Sequence, residues 1–329
     1  MQPSENKTPV DLAAAVGSAD RAALATALNL LDDQRPAART DAAQLLTQLQ
    51  LNQDFPNKHL VGITGPPGAG KSTLCAALIA VWRQRGLRVG VLAVDPSSPI
   101  SGGALLGDRL RMPTSYEDDG VFVRSLSNRG QYGGLSAEVW PMSIVMLAAF
   151  DIVLIETVGV GQREADIARL CDTTCYVAQP GSGDSVQFLK AGILEVPHIL
   201  VVNKEDMGDV ARRTLAELNT VLSREHPDGH WEVPVIATSA TRNTGIEALA
   251  DLIHQHHKTL KIREQLVCRR HRYQAFWIHK RLLEEFGSFG IEQLGGEQSL
   301  LAQLESTDLN LLQHYESLRA RVHELYFGT

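Results

Sequence analysis

Apolar positions along this chain change rhythm twice. Over residues 1–57 they recur at helical intervals: Leu24, Leu28 and Leu31 follow Asp20, and Leu45, Leu46 and Leu49 form a second stripe. This predicts two helices joined near Pro36. From His59 onward, short β-branched runs alternate with Gly-rich turns and amphipathic stretches. The runs are LVGIT (60–64), RVGVLAV (88–94), VFVRSL (121–126), DIVLIET (151–157), TCYVAQ (174–179), HILVVN (198–203) and PVIATS (234–239). Several are apolar throughout, as strands covered on both faces must be. After about Lys258 the strands stop. Phe276, Trp277, Leu282, Leu283, Phe286, Leu311, Leu312, Tyr315 and Leu318 then recur at helical spacing, in a tail broken near Gly287 to Gly296. The pattern predicts an α/β domain with a mainly parallel sheet over 58–258, a helical extension over 1–57 and a helical segment over 259–329.

Composition narrows the class without naming the chemistry. Of 329 residues, 44% are hydrophobic and 21% charged, which is ordinary globular usage. Acidic residues outnumber basic ones 38 to 31, and this balance argues against a partner gripped through the overall field, whether nucleic acid or an anionic membrane. No apolar run approaches the ~18 residues a membrane span needs. The polar start MQPSENKTPV does not read as a secretory leader. Cys75, Cys171, Cys175 and Cys268 are too scattered for a disulfide framework, so a cytoplasmic protein with reduced thiols is expected.

The sharpest local signal is Gly65-Pro66-Pro67-Gly68-Ala69-Gly70-Lys71-Ser72, which fits G-x-x-x-x-G-K-[ST] and lies between an apolar run and a helical stretch that also contains Thr73. Glycines let backbone amides turn inward around phosphate oxygens. The Lys71 ammonium can reach the terminal phosphates, and the Ser72 hydroxyl can ligate Mg²⁺. The 58–258 segment is therefore expected to be a P-loop NTPase G domain.

Asn203-Lys204-Glu205-Asp206 follows the apolar run HILVV, where a base-recognition loop leaves the sheet. A carboxylate at Asp206 can accept from both the ring N–H and the exocyclic amine of guanine, a donor pair that adenine lacks. Lys204 can cover the base plane and Asn203 can tie the loop down. Thr238-Ser239-Ala240 is expected to close over the base through backbone N–H groups. Glu156-Thr157-Val158-Gly159 is similar to the D-x-x-G switch of GTPases, with Glu in place of Asp. A carboxylate there can hold Mg²⁺ through water, and the Gly159 amide can sense the γ-phosphate. Asp95 and Asp108 are further loop carboxylates at the same edge, read equally well as a helix cap and a solvated acid. Val160 stands where a water-positioning glutamine would follow Gly159, and Gln162 lies two residues on. Slow intrinsic hydrolysis, accelerated by a partner, is expected.

Four longer stretches carry a family resemblance: VDPSSPISGGALLGDRLRM (94–112), ETVGVGQREADIA (156–168), GSGDSVQFLKAG (181–192) and DRAALATALNLLDD (20–33). Together they resemble the MeaB/ArgK family, the methylmalonyl-CoA mutase-associated GTPases among the metallochaperone-type P-loop GTPases. The resemblance implies a homodimeric GTPase that binds GTP/GDP and Mg²⁺. It also implies association with an adenosylcobalamin-dependent acyl-CoA mutase, whose cofactor delivery and protection or reactivation the GTPase gates. By the same resemblance, Lys71 and Ser72 are the phosphate-loop pair and Asp95, Asp108 and Glu156 are the carboxylates around Mg²⁺. Asp184 and Lys190 belong to a third switch that answers the partner, and the 259–329 segment serves dimerisation. Lys190 could then stabilise transition-state charge as an arginine finger does. The third switch reads GDSVQFLKAG where close relatives commonly read GDELQGIKKG, and GQREA stands for GQSET. Ser185, Phe188, Ala191 and Arg163 thus alter the partner-facing surface. Both methylmalonyl-CoA mutase and a related isobutyryl- or 2-hydroxyisobutyryl-CoA mutase stay open as partners.

Other readings have less to stand on. A kinase of ArgK type, linked to amino-acid transport, would need an acceptor site and a base for which no residue stands out. A nickel-inserting GTPase would need Cys and His clusters that the sequence lacks. His254, His256 and His257 in HQHH read as a solvated basic helix end. Cys171 and Cys175 read as small core residues, and Arg109 and Arg111 equally as phosphate sensors or salt-bridged loop residues. Phe276 and Trp277 read as helix core or dimer surface.

Overall fold

Among the described residues, seven short strands, all parallel, form one sheet in the order β3-β2-β4-β1-β5-β6-β7. They are β1 (His59–Thr64), β2 (Val89–Asp95), β3 (Val121–Ser127), β4 (Ile152–Thr157), β5 (Thr173–Ala178), β6 (Ile199–Val202) and β7 (Val235–Ala237). Each coincides with a run picked out by its apolar residues, and β1, β4, β5 and β6 are buried along their whole length. The structure is a computed structural model and describes residues 8–33, 35–51, 55–95, 118–127, 138–157, 167–181, 197–221, 231–306 and 311–327.

Ten α-helices accompany the strands among the described residues: α1 (Pro9–Gly17), α2 (Arg21–Asp32), α3 (Pro36–Leu51), α4 (Lys71–Gln84), α5 (Val139–Ala149), α6 (Asp209–Val221), α7 (Ile246–Ile262), α8 (Gln265–Gln293), α9 (Glu297–Ser306) and α10 (Leu311–Phe327). The N-terminal stretch thus holds three helices where two were expected. The additional one, α1, is only nine residues long, too short for a clear periodic stripe. Its start is fixed locally: the Thr8 hydroxyl accepts from Asp11 N–H, and Pro9 occupies the first turn, where no N–H is needed. In the tail, the break falls where the glycines are. Gly287 interrupts α8 with φ 67°, and Gly295 and Gly296 separate α8 from α9.

Two compact units result. The first contains 57–136 and 150–266 and carries the sheet. Its core has two layers: Leu74, Leu78 and Trp82 of α4 and Leu249 and Ile253 of α7 pack with Val61, Ile63, Leu154 and Val201 on one face of the sheet, and Ala211 and Leu218 of α6 pack with Tyr176, Leu200 and Val202 on the other. Truncating a buried tryptophan such as Trp82 would cost about 3–5 kcal/mol. The second unit contains 1–56, 137–149 and 267–329. In it α3 packs on α1, α2, α5 and α10. Tyr315 and Arg319 of α10 both donate to Glu285 of α8, and Arg281 pairs with Glu138 at 3.2 Å. The stretch 58–258, read from sequence as one domain, therefore contributes to both units. Helix α5 is apolar nearly all round, with Trp140, Met142, Ile144, Val145 and Met146 buried, so it serves as core for other helices rather than as a one-sided cover for a sheet.

The N-terminal edge of the sheet holds a buried polar cluster. Thr173 Oγ1 lies 2.7 Å from His59 Nε2 and 2.7 Å from His256 Nδ1. One hydroxyl has a single proton, so it donates to one imidazole while accepting from the other. Thr174 N–H donates to His198 Nδ1 at 3.0 Å, which holds that ring as its Nε2–H tautomer. His59 stacks on His257 with centroids 4.2 Å apart, and His198 lies 4.3 Å from His256. The expectation of a solvated HQHH segment is therefore corrected: His256 and His257 are buried, because α7 packs this face against the starts of β1 and β5, and of the three histidines only His254 is exposed, with Gln255 beside it. Cys171 and Cys175 are buried core residues, with burial pushing both thiols well up.

Candidate functional site

The opposite, C-terminal edge is where the sequence motifs converge. Strand β1 runs into the Gly65–Ser72 loop, and α4 begins at Lys71 with Gly70 as its left-handed cap. Two glycines are dictated by geometry. A Cβ on Gly65 would stand 2.2 Å from Val177 O of the neighbouring strand, and one on Gly70, at φ 88°, would stand 2.5 Å from Asn203 Nδ2. Lys71 is buried and donates to Gly65 O at 2.8 Å and Pro66 O at 3.0 Å, so its ammonium is held across the mouth of the loop. Ala69 is buried, whereas Pro67, Gly68 and Thr73 are exposed on the rim.

Sheet order brings in the carboxylate. Strand β4 inserts between β2 and β1 with Glu156 in register with Ile63, so its side chain reaches the start of α4. The Ser72 hydroxyl donates to Glu156 Oε1 at 2.6 Å, and Glu156 is buried. A hydroxyl and a carboxylate side by side at a phosphate loop form a hard oxygen donor pair, which suits Mg²⁺. Beside them Thr157 Oγ1 and Thr64 Oγ1 are 3.0 Å apart. Asp95 ends β2 one residue past the Val94–Thr157 pair, at the same edge. Asp108, Gly159, Gln162, Asp184 and Lys190, with Arg109 and Arg111, lie outside the described residues.

The base-side loop is wired to the phosphate loop by side chains. Asn203 is buried after β6. Its Nδ2 donates to Ala69 O at 2.9 Å, and its Oδ1 accepts from Thr238 Oγ1 at 3.2 Å and Ala240 N–H at 3.3 Å. The Ala240 amide, expected to face the base, is thus engaged with Asn203. Lys204 takes the left-handed conformation at φ 61° and donates to Gly68 O at 2.6 Å, laying its stem along the loop. Asp206 is exposed and accepts from Ser239 Oγ at 2.6 Å. That hydroxyl holds the carboxyl below the ordinary carboxylate range, with Arg242 and Lys204 adding to the effect. Asp206 is thus an anchored anion with its outer side open, able to accept two donors from one base edge.

Sequence reasoning missed two neighbours. The Gln179 amide oxygen lies near Gly68, 3.2 Å from where a Cβ there would stand, and Arg242 contributes positive potential at Asp206. Gln179 is signalled only as the polar residue ending an apolar strand, and its significance depends on β5 pairing with β1. Arg242 sits in a polar turn with nothing to distinguish it.

Comparison with known proteins now decides the family. A family model described as "Methylmalonyl Co-A mutase-associated GTPase MeaB" matches residues 24–288. The chain belongs to the MeaB family. As a MeaB-family protein it is a P-loop GTPase. A putative GTPase of Pyrococcus abyssi is 44% identical over 70% of this chain and 76% of its own. The GTPase ArgK of Escherichia coli is 34% identical, covering 81% of each chain. The mitochondrial methylmalonic aciduria type A homolog of Caenorhabditis briggsae is 33% identical over 82% of this chain and 68% of its own. Among solved structures, a LAO/AO transport system kinase superposes with a TM-score of 0.68 over 98% of both chains at 24% identity, a likeness of fold.

Proposed function

We propose that this MeaB-family GTPase binds GTP with Mg²⁺ and uses its hydrolysis to gate adenosylcobalamin delivery to an acyl-CoA mutase, protecting or reactivating that enzyme. The reading rests on one observation above all: Asp206, fixed by Ser239, belongs to a loop that Asn203 and Lys204 tie to the phosphate loop. Such a linkage lets the same few residues report both the guanine and the phosphate tail. The family description and the methylmalonic aciduria relative supply the partner class.

In this reading the N–H groups of Gly68–Lys71 surround the phosphates and Lys71 neutralises their charge. Ser72 and Glu156 hold Mg²⁺, with Asp95 and Asp108 completing the carboxylate set, and the ion supplies charge neutralisation on the phosphate oxygens. Gly159 senses the γ-phosphate, and Lys190 answers the mutase by moving toward it. The active species is a cytoplasmic homodimer.

The test is single-turnover GTP hydrolysis with and without candidate mutases that act on methylmalonyl-, isobutyryl- or 2-hydroxyisobutyryl-CoA. One mutase is expected to accelerate hydrolysis, and Lys190→Ala is expected to bring the ratio of stimulated to basal rate close to one. Acceleration by none of them would refute the partner assignment. Undiminished acceleration of Lys190→Ala would refute the role of that lysine.

A further inference from the structure

The N-terminal edge of the sheet, remote from the nucleotide loops, carries a cavity of about 520 Å³ between the end of α4, the starts of β1 and β4, and one face of α7. That volume lies within the few-hundred to one-thousand Å³ range of small-molecule sites. Its walls are of two kinds. Trp82, Leu87, Ile152 and Ile253 line it with apolar surface, and the buried imidazoles of His59 and His257, stacked at an interplanar angle of 11°, add a flat aromatic wall. His254, Lys258, Lys261 and Arg85 supply the cationic and polar side, together with the Asn57 amide and the Asp151 carboxylate.

The charge at this cavity is opposite to that of the chain. Residues 254, 257, 258 and 261 recur at the spacing that puts them on one face of α7, so the two lysines stand together over the opening. Lys261 donates to the amide oxygen of Asn57 at 2.6 Å, a partner that carries no opposing charge. Asp151 in the wall and Asp251 beside it are already engaged. Asp151 accepts from Lys58 Nζ at 3.0 Å and Arg88 N–H at 2.8 Å, and Asp251 pairs with Arg85 at 2.7 Å. Lys58, Arg85, Lys258 and Lys261 against Asp151 and Asp251 leave two positive charges over, on a chain whose net charge is −7. A metal reading of the histidines fails, because no group of three His, Cys, Asp or Glu side chains fit to hold an ion occurs among the described residues.

We propose that this cavity is a second ligand site, for a small organic anion made of an apolar body and one phosphate or carboxylate group. The body lies against Trp82, Ile253 and the His59–His257 stack, and the anionic group meets Lys258 and Lys261. The site is separate from the nucleotide site: His59 opens β1 and the phosphate loop follows its last residue, Thr64, about 20 Å away at the usual rise per residue.

The test uses the full chain loaded with GDP and Mg²⁺, so that phosphate compounds cannot report on the nucleotide loop. Phenyl phosphate, benzoate, inorganic phosphate and benzyl alcohol are titrated while the imidazole resonances of His254 and His257 are followed by NMR, with affinity measured by calorimetry. Saturable shifts are expected with phenyl phosphate or benzoate, and the tighter of the two identifies the anionic group. Inorganic phosphate and benzyl alcohol, each lacking one half of the recognised chemistry, are expected to bind at least about tenfold more weakly. Lys258→Glu with Lys261→Glu is expected to weaken the organic anion at least about tenfold while GDP affinity stays the same. If the double variant does not fold, Lys258→Gln alone should weaken it a few-fold. Absence of saturable shifts, equal binding of benzyl alcohol, or equal affinity in a folded lysine variant would each overturn the proposal.

Discussion

The two edges of the sheet are both rich in polar side chains, yet they use them differently. At the C-terminal edge, the polar groups are tied on one side and open on the other. Asp206 is anchored by Ser239 but exposed, and Lys71 lies over loop carbonyls at a mouth shaped for an anion. At the N-terminal edge, Thr173 joins His59 to His256, and Thr174 fixes His198, all of them buried. Anchoring one side of a group fixes its direction for a ligand, whereas engaging both sides makes it part of the core. Substitutions at the first edge should therefore change nucleotide recognition, and those within the buried Thr173–His59–His256 and Thr174–His198 cluster of the second should change stability.

The largest expected effect at the nucleotide edge comes from Asp206→Asn. An amide offers a donor where guanine needs an acceptor, so the ratio of GDP to XDP affinity should fall by on the order of 10³, measured by competition binding. An unchanged ratio would remove Asp206 from base recognition. At the other edge, Thr173→Val keeps the shape and removes the hydroxyl shared by two imidazoles. It should lower unfolding free energy by about 1–3 kcal/mol in denaturant titrations and leave GDP affinity within about twofold. A variant that kept its stability and lost GDP would reverse the contrast drawn between the edges.

The smallest effect is expected from Ser239→Ala, about a tenfold loss of GDP affinity. Its pH dependence is more telling than its size. The Asp206 carboxyl lies below its ordinary value chiefly because Ser239 donates to it. Guanine binding that needs the ionised form is present above that pKa and fades as pH falls through it. Without the hydroxyl the pKa rises toward the ordinary value, so the acid limb of GDP binding should move to higher pH. An acid limb that stays in place would mean that Ser239 does not set the charge of Asp206.

The seven strands were legible because sheets covered on both faces need continuous apolar runs, and the phosphate loop because its glycines, lysine and serine are contiguous. What joins the site together was not, since it depends on pairings far apart in the chain. Asn203 reaches Ala69 across 134 positions and Ser239 reaches Asp206 across 33, and neither contact leaves a mark in local spacing. The position of Glu156 beside Ser72 depends on β4 entering between β1 and β2, an order that the strand runs do not encode. Helix α1 escaped notice because its signal lay in its cap rather than its period. The buried HQHH histidines did so because a polar composition hid a packed face.

The proposed gating is tested most directly by following adenosylcobalamin uptake by a cofactor-free acyl-CoA mutase through its visible absorbance. An equimolar amount of this GTPase would be present with either GTP or a non-hydrolysable analogue. Loading is expected to proceed with GTP and to be held back with the analogue. Equal loading under both nucleotides, with every candidate mutase, would contradict the idea that GTP turnover gates cofactor delivery.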